Sequence, residues 1–157
     1  MTNKEIKIAY QEFRSLDELE SSDRMLAQAA IEATSRSYAP YSHFNVGAAV
    51  MFEDGEIVKG ANQENAAYPS GLCAERTALF YASASRPDKA MTSLAIAASQ
   101  EGILCKIPAT PCGACRQVMA EYQTKSGKPM EILLVGAEKI WKFTKVDDLL
   151  PLIFDSI

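Results

Sequence analysis

Three cysteines and one glutamate carry the strongest chemical signal in this 157-residue chain. Two residues separate Cys112 from Cys115 in the run PCGAC, and Cys73 opens the segment CAER, which sets Glu75 two positions after a thiol. Thiolates bind zinc. A structural zinc is closed by four protein ligands, whereas a catalytic one keeps a position for water, so counting ligands separates the two cases. Cys73, Cys112 and Cys115 supply three sulfurs. The only histidine, His43, stands in the upstream loop APYSHF, and Cys105 lies between Leu104 and Lys106 with no motif around it. Neither is an obvious fourth ligand, and a free cysteine such as Cys105 is ordinarily a buried small hydrophobe.

A carboxylate at Glu75 is placed to reach water on such a metal rather than the metal itself, where it can accept a proton and deliver it onward. Taken alone, a glutamate in a first helical turn simply favours the helix dipole. Arg76 follows Cys73 by three residues on the same helical face, so its guanidinium can donate to the ligand sulfurs and offset their charge; a solvent-facing arginine is the alternative. Two rival chemistries use the same thiols: a closed zinc staple in a non-catalytic module, and thiol redox at the Cys-x-x-Cys of a helix start.

The elements that must hold these groups follow from pattern. Both cysteine segments open helices: Cys73 to Ser83 is rich in Ala, Leu, Glu and Arg after the break at Pro69 and Gly71, and Cys112 to Tyr122 follows Pro111. Helix N-termini favour thiolates. An earlier helix is expected over roughly Asp23 to Tyr38, ended by Pro40, with Ser15 and Glu18 as a capping box. Asn45 to Phe52 and Glu56 to Ala61 flank the turn pair Asp54-Gly55 as a hairpin. The apolar run Ser93 to Ala98 and the segment Glu131 to Val135 are joined by a helix and so should be parallel, whereas Ile140 to Phe143 follows too closely for anything but antiparallel pairing. Val146 to Leu150 reads as a short capped helix. Ile6, Ile8 and Tyr10 alternate as in a half-buried strand or a frayed arm. The sum is a single α/β domain with three α/β/α layers around a mixed sheet of about five strands.

Sixteen basic against twenty acidic residues give a net charge of −4, which argues against a nucleic-acid partner and for a small neutral substrate. The opening residues lack an apolar stretch long enough for a signal peptide or membrane span, so the cytoplasm is expected, with thiols kept reduced.

CAE followed far downstream by PCxxC resembles the cytidine deaminase family, a signature that also defines nucleobase deaminases at large. SYAPYSHFNVGAA, GANQENAAYPSG, CAERTALF, PCGACRQV and LLPLIF fall in the family's order from Ser37 to Phe154, leaving the residues before about Ser22 as an N-terminal extension. The resemblance implies one zinc per chain and hydrolytic deamination of cytidine, and of deoxycytidine, in pyrimidine salvage, with Glu75 moving the protons. It implies that Asn62 and Glu64 bind the ribose hydroxyls, Phe44 packs on the nucleoside, the Ala74 main chain meets the pyrimidine and Pro111 shapes the turn presenting Cys112. Tyr68 and Phe154 match aromatic positions shared between subunits, which implies a homotetramer; on general grounds Phe154 is equally a plug of its own core. A deaminase acting on a bulkier cytosine nucleoside is the rival on this scaffold, and Asn62 with Glu64 favours an unmodified ribose.

Overall fold

The structure is a computed structural model that describes residues 1–155. Its elements in chain order are β1 (Gln11–Phe13), α1 (Ser21–Ala33), β2 (Phe44–Phe52), β3 (Ile57–Ala61), α2 (Ala74–Ser85), β4 (Met91–Gln100), β5 (Ile103–Leu104), α3 (Gly113–Ser126), β6 (Glu131–Val135) and β7 (Ile140–Phe143). The strands form one sheet in the order β1-β7-β6-β4-β2-β3, with β5 also pairing β4. Among the described strands β4 and β6 pair parallel, joined through α3 as a crossover requires, and β6 and β7 pair antiparallel. The mixed α/β sheet is as expected, but among the described residues it has seven strands instead of about five. The two additions are the three-residue β1 and the two-residue β5, both too short to leave an alternation in the sequence.

Alternation along the central strands divides the core. Ala48, Val50 and Phe52 of β2, Leu94 and Ile96 of β4, and Ile132 and Leu134 of β6 face α2 and α3. Ala49 and Met51, Ala95 and Ala97, and Leu133 and Val135 face Leu26, Ala27 and Ala30 of α1. Small residues on both faces allow close helix approach. A Cβ built on Gly60 would lie 2.5 Å from the Ala78 nitrogen and 2.9 Å from the Ala74 carbonyl, so the missing side chain lets α2 press its first turns onto β3.

Several boundaries differ from expectation. Helix α1 ends at Ala33 and continues only as a 3-10 turn over Thr34–Arg36. The Ser15 hydroxyl makes no cap bond; instead the Arg14 N–H donates to the Glu18 carboxylate at 2.8 Å, around a 3-10 turn at Leu16–Glu18. Ile6 and Ile8 are exposed and outside any strand, whereas Tyr10 stacks on Phe143 with centroids 5.2 Å apart and leads into β1. The expected helix after Val146 is a 3-10 turn, Val146–Asp148. Among the described residues no helix is long and apolar enough to cross a membrane.

Candidate metal centre and adjoining cleft

Cys73 and Cys112 are the N-cap residues of α2 and α3, with extended backbone and no side-chain cap bond, so neither sulfur is spent on capping its own helix. Cys115 lies in the first turn of α3 and is buried. The crossover brings the two helix starts together at one end of the sheet, and the three sulfurs lie within 4.8 Å of one another. Neither His43, exposed on a left-handed backbone at φ 55°, nor half-buried Cys105 joins this group.

The donor set suits zinc. Three thiolates around a tetrahedral zinc at about 2.3 Å sit roughly 3.8 Å apart, a separation that this cluster permits. Its protonation is also uneven. The hydrogen bond from Cys115, helped by Arg76 and Cys112, holds the Cys73 thiol down to about 5 against the cost of burial. The same bond to Cys73, and then burial, pushes the Cys115 thiol up. Thiols crowded in this way resist ionising together unless a cation joins them. Arg76 supplies part of that charge: its Nη2 donates to Cys73 Sγ at 3.7 Å, while its buried Nε has no partner.

Glu75 follows Ala74 in the first turn of α2 and is only 5% exposed. Burial raises its carboxyl above the ordinary carboxylate range, and the Cys73 charge adds to the shift. A cavity of about 300 Å³ reaches from Glu75, Ala74, Cys73 and Cys112 to Phe44 and Asn62. A wider cleft of about 490 Å³ continues outward past Glu64, Tyr68 and Arg76.

The resemblance residues on the outer side also hold the loops. Asn62 Oδ1 accepts from Ser37 Oγ at 2.5 Å and from the Val46 N–H at 2.8 Å, and its Nδ2 donates to the Phe44 carbonyl at 2.9 Å. The Glu64 carboxylate accepts from the Tyr41 N–H at 2.9 Å, the Ser42 N–H at 3.2 Å and the Ser42 hydroxyl. The Ser42 hydroxyl bond comes first among the causes that lower the Glu64 pKa. Pro111 is buried, and its carbonyl accepts from Arg116 Nε at 2.9 Å. Tyr68 and Phe154 are 79% and 68% exposed, so Phe154 does not plug the core of its own chain.

Two residues of this neighbourhood fall inside the resemblance segment PCGACRQV, but neither their type nor their spacing points to a role. Arg116 donates from Nε to Pro111 and from Nη1 to the Leu149 carbonyl at 2.8 Å, and Gln117 bonds the Phe154 main chain. Only their position directly after Cys115 could have drawn attention to them.

The family model for the cytidine and deoxycytidylate deaminase zinc-binding region matches residues 20–127. The cytidine deaminase of Sporosarcina psychrophila is 42% identical over 129 residues, 82% of this chain and 88% of that protein. That of Halalkalibacterium halodurans is 50% identical over 99 residues, 62% of this chain and 70% of the other. In structure, the cytidine deaminase of Burkholderia pseudomallei aligns with a TM-score of 0.67 at 39% identity, covering 83% of this chain and 97% of that one. The matched region takes in both cysteine segments together with Glu75, and this chain belongs to the zinc-binding cytidine and deoxycytidylate deaminase family.

Proposed function

We propose that this protein is a cytidine deaminase, hydrolysing cytidine and deoxycytidine to uridine and deoxyuridine with release of ammonia, in pyrimidine salvage in the cytoplasm. The observation that carries the reading is the meeting of three thiols within 4.8 Å beside a buried glutamate that lines a cavity. Cys73, Cys112 and Cys115 would hold the zinc, which when bound would supply an acidified water as nucleophile near neutral pH.

Glu75 takes the proton from that nucleophile and delivers it to N3 of the pyrimidine as the new C4–O bond forms. It then takes the remaining proton from the new C4 hydroxyl and delivers it to the amino group, so that the C4–N bond breaks, the C4 carbonyl forms and ammonia leaves. A carboxyl raised by burial suits both halves of this traffic, because a shuttle works best with a pKa nearer the working pH. Arg76 offsets the thiolate charge by its contact with Cys73. Ala74 presents its main chain to the base, Pro111 fixes the turn before Cys112, and Phe44 forms an apolar wall of the cavity.

The hydrogen bonds already made by Asn62 and Glu64 define what they can offer a sugar. Both lone pairs of Asn62 Oδ1 and one Nδ2 hydrogen are taken, which leaves one donor. Three of the roughly four acceptor positions on the Glu64 carboxylate are filled, which leaves about one. A donor and an acceptor side by side suit the ribose hydroxyls. Tyr68 and Phe154, each held out into solvent, serve pockets of neighbouring subunits in a homotetramer. The chain is one domain, with the residues before about 22 an addition to its catalytic core.

Zinc stoichiometry measured together with ammonia release from cytidine tests this reading. One zinc per chain with ammonia release is expected; one zinc per chain without it would leave a structural zinc module.

A further inference from the structure

Phe154, close to the end of the described residues, is tied to α3. Phe154 donates its main-chain N–H to Gln117 Oε1 at 3.1 Å, and its carbonyl accepts from Gln117 Nε2 at 2.8 Å. One side-chain amide thus presents to Phe154 the donor and acceptor pair that a neighbouring strand would present. The segment is also held at its start, where Arg116 donates to the Leu149 carbonyl while gripping the Pro111 carbonyl. Residues 149–154 form a strap fastened at both ends to the turn of α3 that carries Cys115.

The strap delivers an exposed ring. Phe154 is 68% exposed although its main chain is fixed by two hydrogen bonds. Ordering a backbone costs conformational entropy, and within this chain the ring itself gains little burial in return. The fixed backbone gives the ring a set direction away from its own core.

We infer that Gln117 is a positioning residue, which sets Phe154 for the nucleoside pocket of a neighbouring subunit. The inference rests on the reading of Phe154 proposed above. Gln117 touches no reacting atom. It acts by gearing the strap to the helix turn of Cys115, so that the ring and the metal-binding turn hold a constant relation.

The test uses the zinc-loaded protein with Gln117→Ala, Gln117→Glu, Phe154→Ala and the double variant Gln117→Ala/Phe154→Ala. Residue-resolved amide exchange should show the Phe154 N–H exchanging roughly 5-fold faster in Gln117→Ala, the loss of one ordinary hydrogen bond. Cytidine KM should rise roughly 3- to 10-fold, the cost of re-ordering a loosened segment on binding, with kcat and zinc content as in the parent. Gln117→Glu keeps the acceptor and loses the donor, and should fall between the parent and the alanine variant. Because Gln117 acts through Phe154, the double variant should be no worse than Phe154→Ala alone.

An unchanged Phe154 exchange rate, an unchanged KM, multiplying effects in the double variant, or loss of zinc from Gln117→Ala would each overturn the assignment. A parent protein that releases no ammonia from cytidine would instead sink the cytidine reading, and the amide exchange would still decide whether Gln117 holds the strap.

Discussion

The two walls of the cleft are built on opposite principles. On the inner wall, α2 and α3 are pressed against a buried sheet, and Cys73, Glu75 and Cys115 take their positions from packing, down to the missing side chain of Gly60. On the outer wall the loops around residues 37–46 and 61–68 are held by side-chain hydrogen bonds from Asn62 and Glu64, and much of that surface is exposed. Metal and proton chemistry tolerates little displacement, and dense packing supplies that constancy. The outer wall, where the nucleoside is proposed to bind, is assembled from separate bonds, each modest in worth and each replaceable. Damage to the inner wall should therefore strike turnover, and damage to the outer wall should strike binding and local stability.

The largest effect is expected at the inner wall with the least change in shape. Glu75→Gln keeps the volume of the side chain and removes its proton traffic, so kcat should fall by roughly 10²- to 10⁴-fold while zinc stays bound. Metal analysis beside steady-state kinetics checks this. Full activity in the glutamine variant would remove Glu75 from the mechanism.

Next comes the packing that positions α2. In Gly60→Ala the new methyl would meet the Ala78 nitrogen at 2.5 Å and its Cα at 2.8 Å, both backbone atoms that cannot swing aside. The variant should lose about 1–3 kcal/mol of stability, in the range of overpacked sites, and its zinc should be stripped by a chelator faster than from the parent. Denaturant unfolding and chelator kinetics measure the two effects. A variant with weakened stability and an untouched zinc off-rate would show that α2 moves as a body without disturbing Cys73.

At the outer wall, Asn62→Ala leaves the Val46 N–H and Phe44 carbonyl without their present partner. Stability should drop by about 1–3 kcal/mol where water cannot replace those bonds. KM should rise while kcat changes much less. Asn62→Asp keeps the acceptor toward Val46 and Ser37 and loses the donor toward Phe44, so it should recover part of the stability. If kcat fell as far as KM rose, the contrast between the walls would fail at this residue.

The division also explains what the sequence made legible. Thiols and a neighbouring carboxylate are rare enough in type and spacing to announce the inner wall, and Pro69, Gly71 and Pro111 mark where its helices begin. Asp54-Gly55 gave away the β2–β3 hairpin because its glycine adopts a φ of 84°. Arg116 and Gln117 stand in the segment PCGACRQV, but their tasks stayed hidden because they bond main-chain groups 33 and 37 residues away, and no residue type marks a carbonyl partner. The structural work of Asn62 was hidden in the same way. At the N-terminus, the alternation from Ile6 to Tyr10 pointed to a strand a few residues too early: Tyr10 anchors on Trp141 and Phe143, and pairing with β7 begins only at Gln11. β5 exists because a turn at Glu101 and Gly102, both with positive φ, folds two residues back onto β4.

The smallest effect is expected farthest from the cleft, at the hairpin turn, where the contrast can be sharpened by pH. Arg86 first and then Lys89 lower the Glu56 pKa, and Lys89 first, then the Glu56 N–H, lower that of Asp54. A carboxylate lowered in the folded state stabilises above its unfolded pKa, and the contribution fades as pH falls through the lowered folded value. Stability from this cluster should therefore be present at pH 5 and above and decline below about pH 4. The groups sit at the surface with more than a third of each side chain open to solvent, so the contribution is small and should shrink in salt. Melting temperatures of the parent and of Arg86→Ala/Lys89→Ala, followed from pH 7 to pH 3, isolate it, because protonation of the cysteine ligands contributes equally to both proteins. The gap between the two curves should close on acidification. A gap that widens toward pH 3 would mean that the two cations stabilise the hairpin through their aliphatic packing and not through their charge.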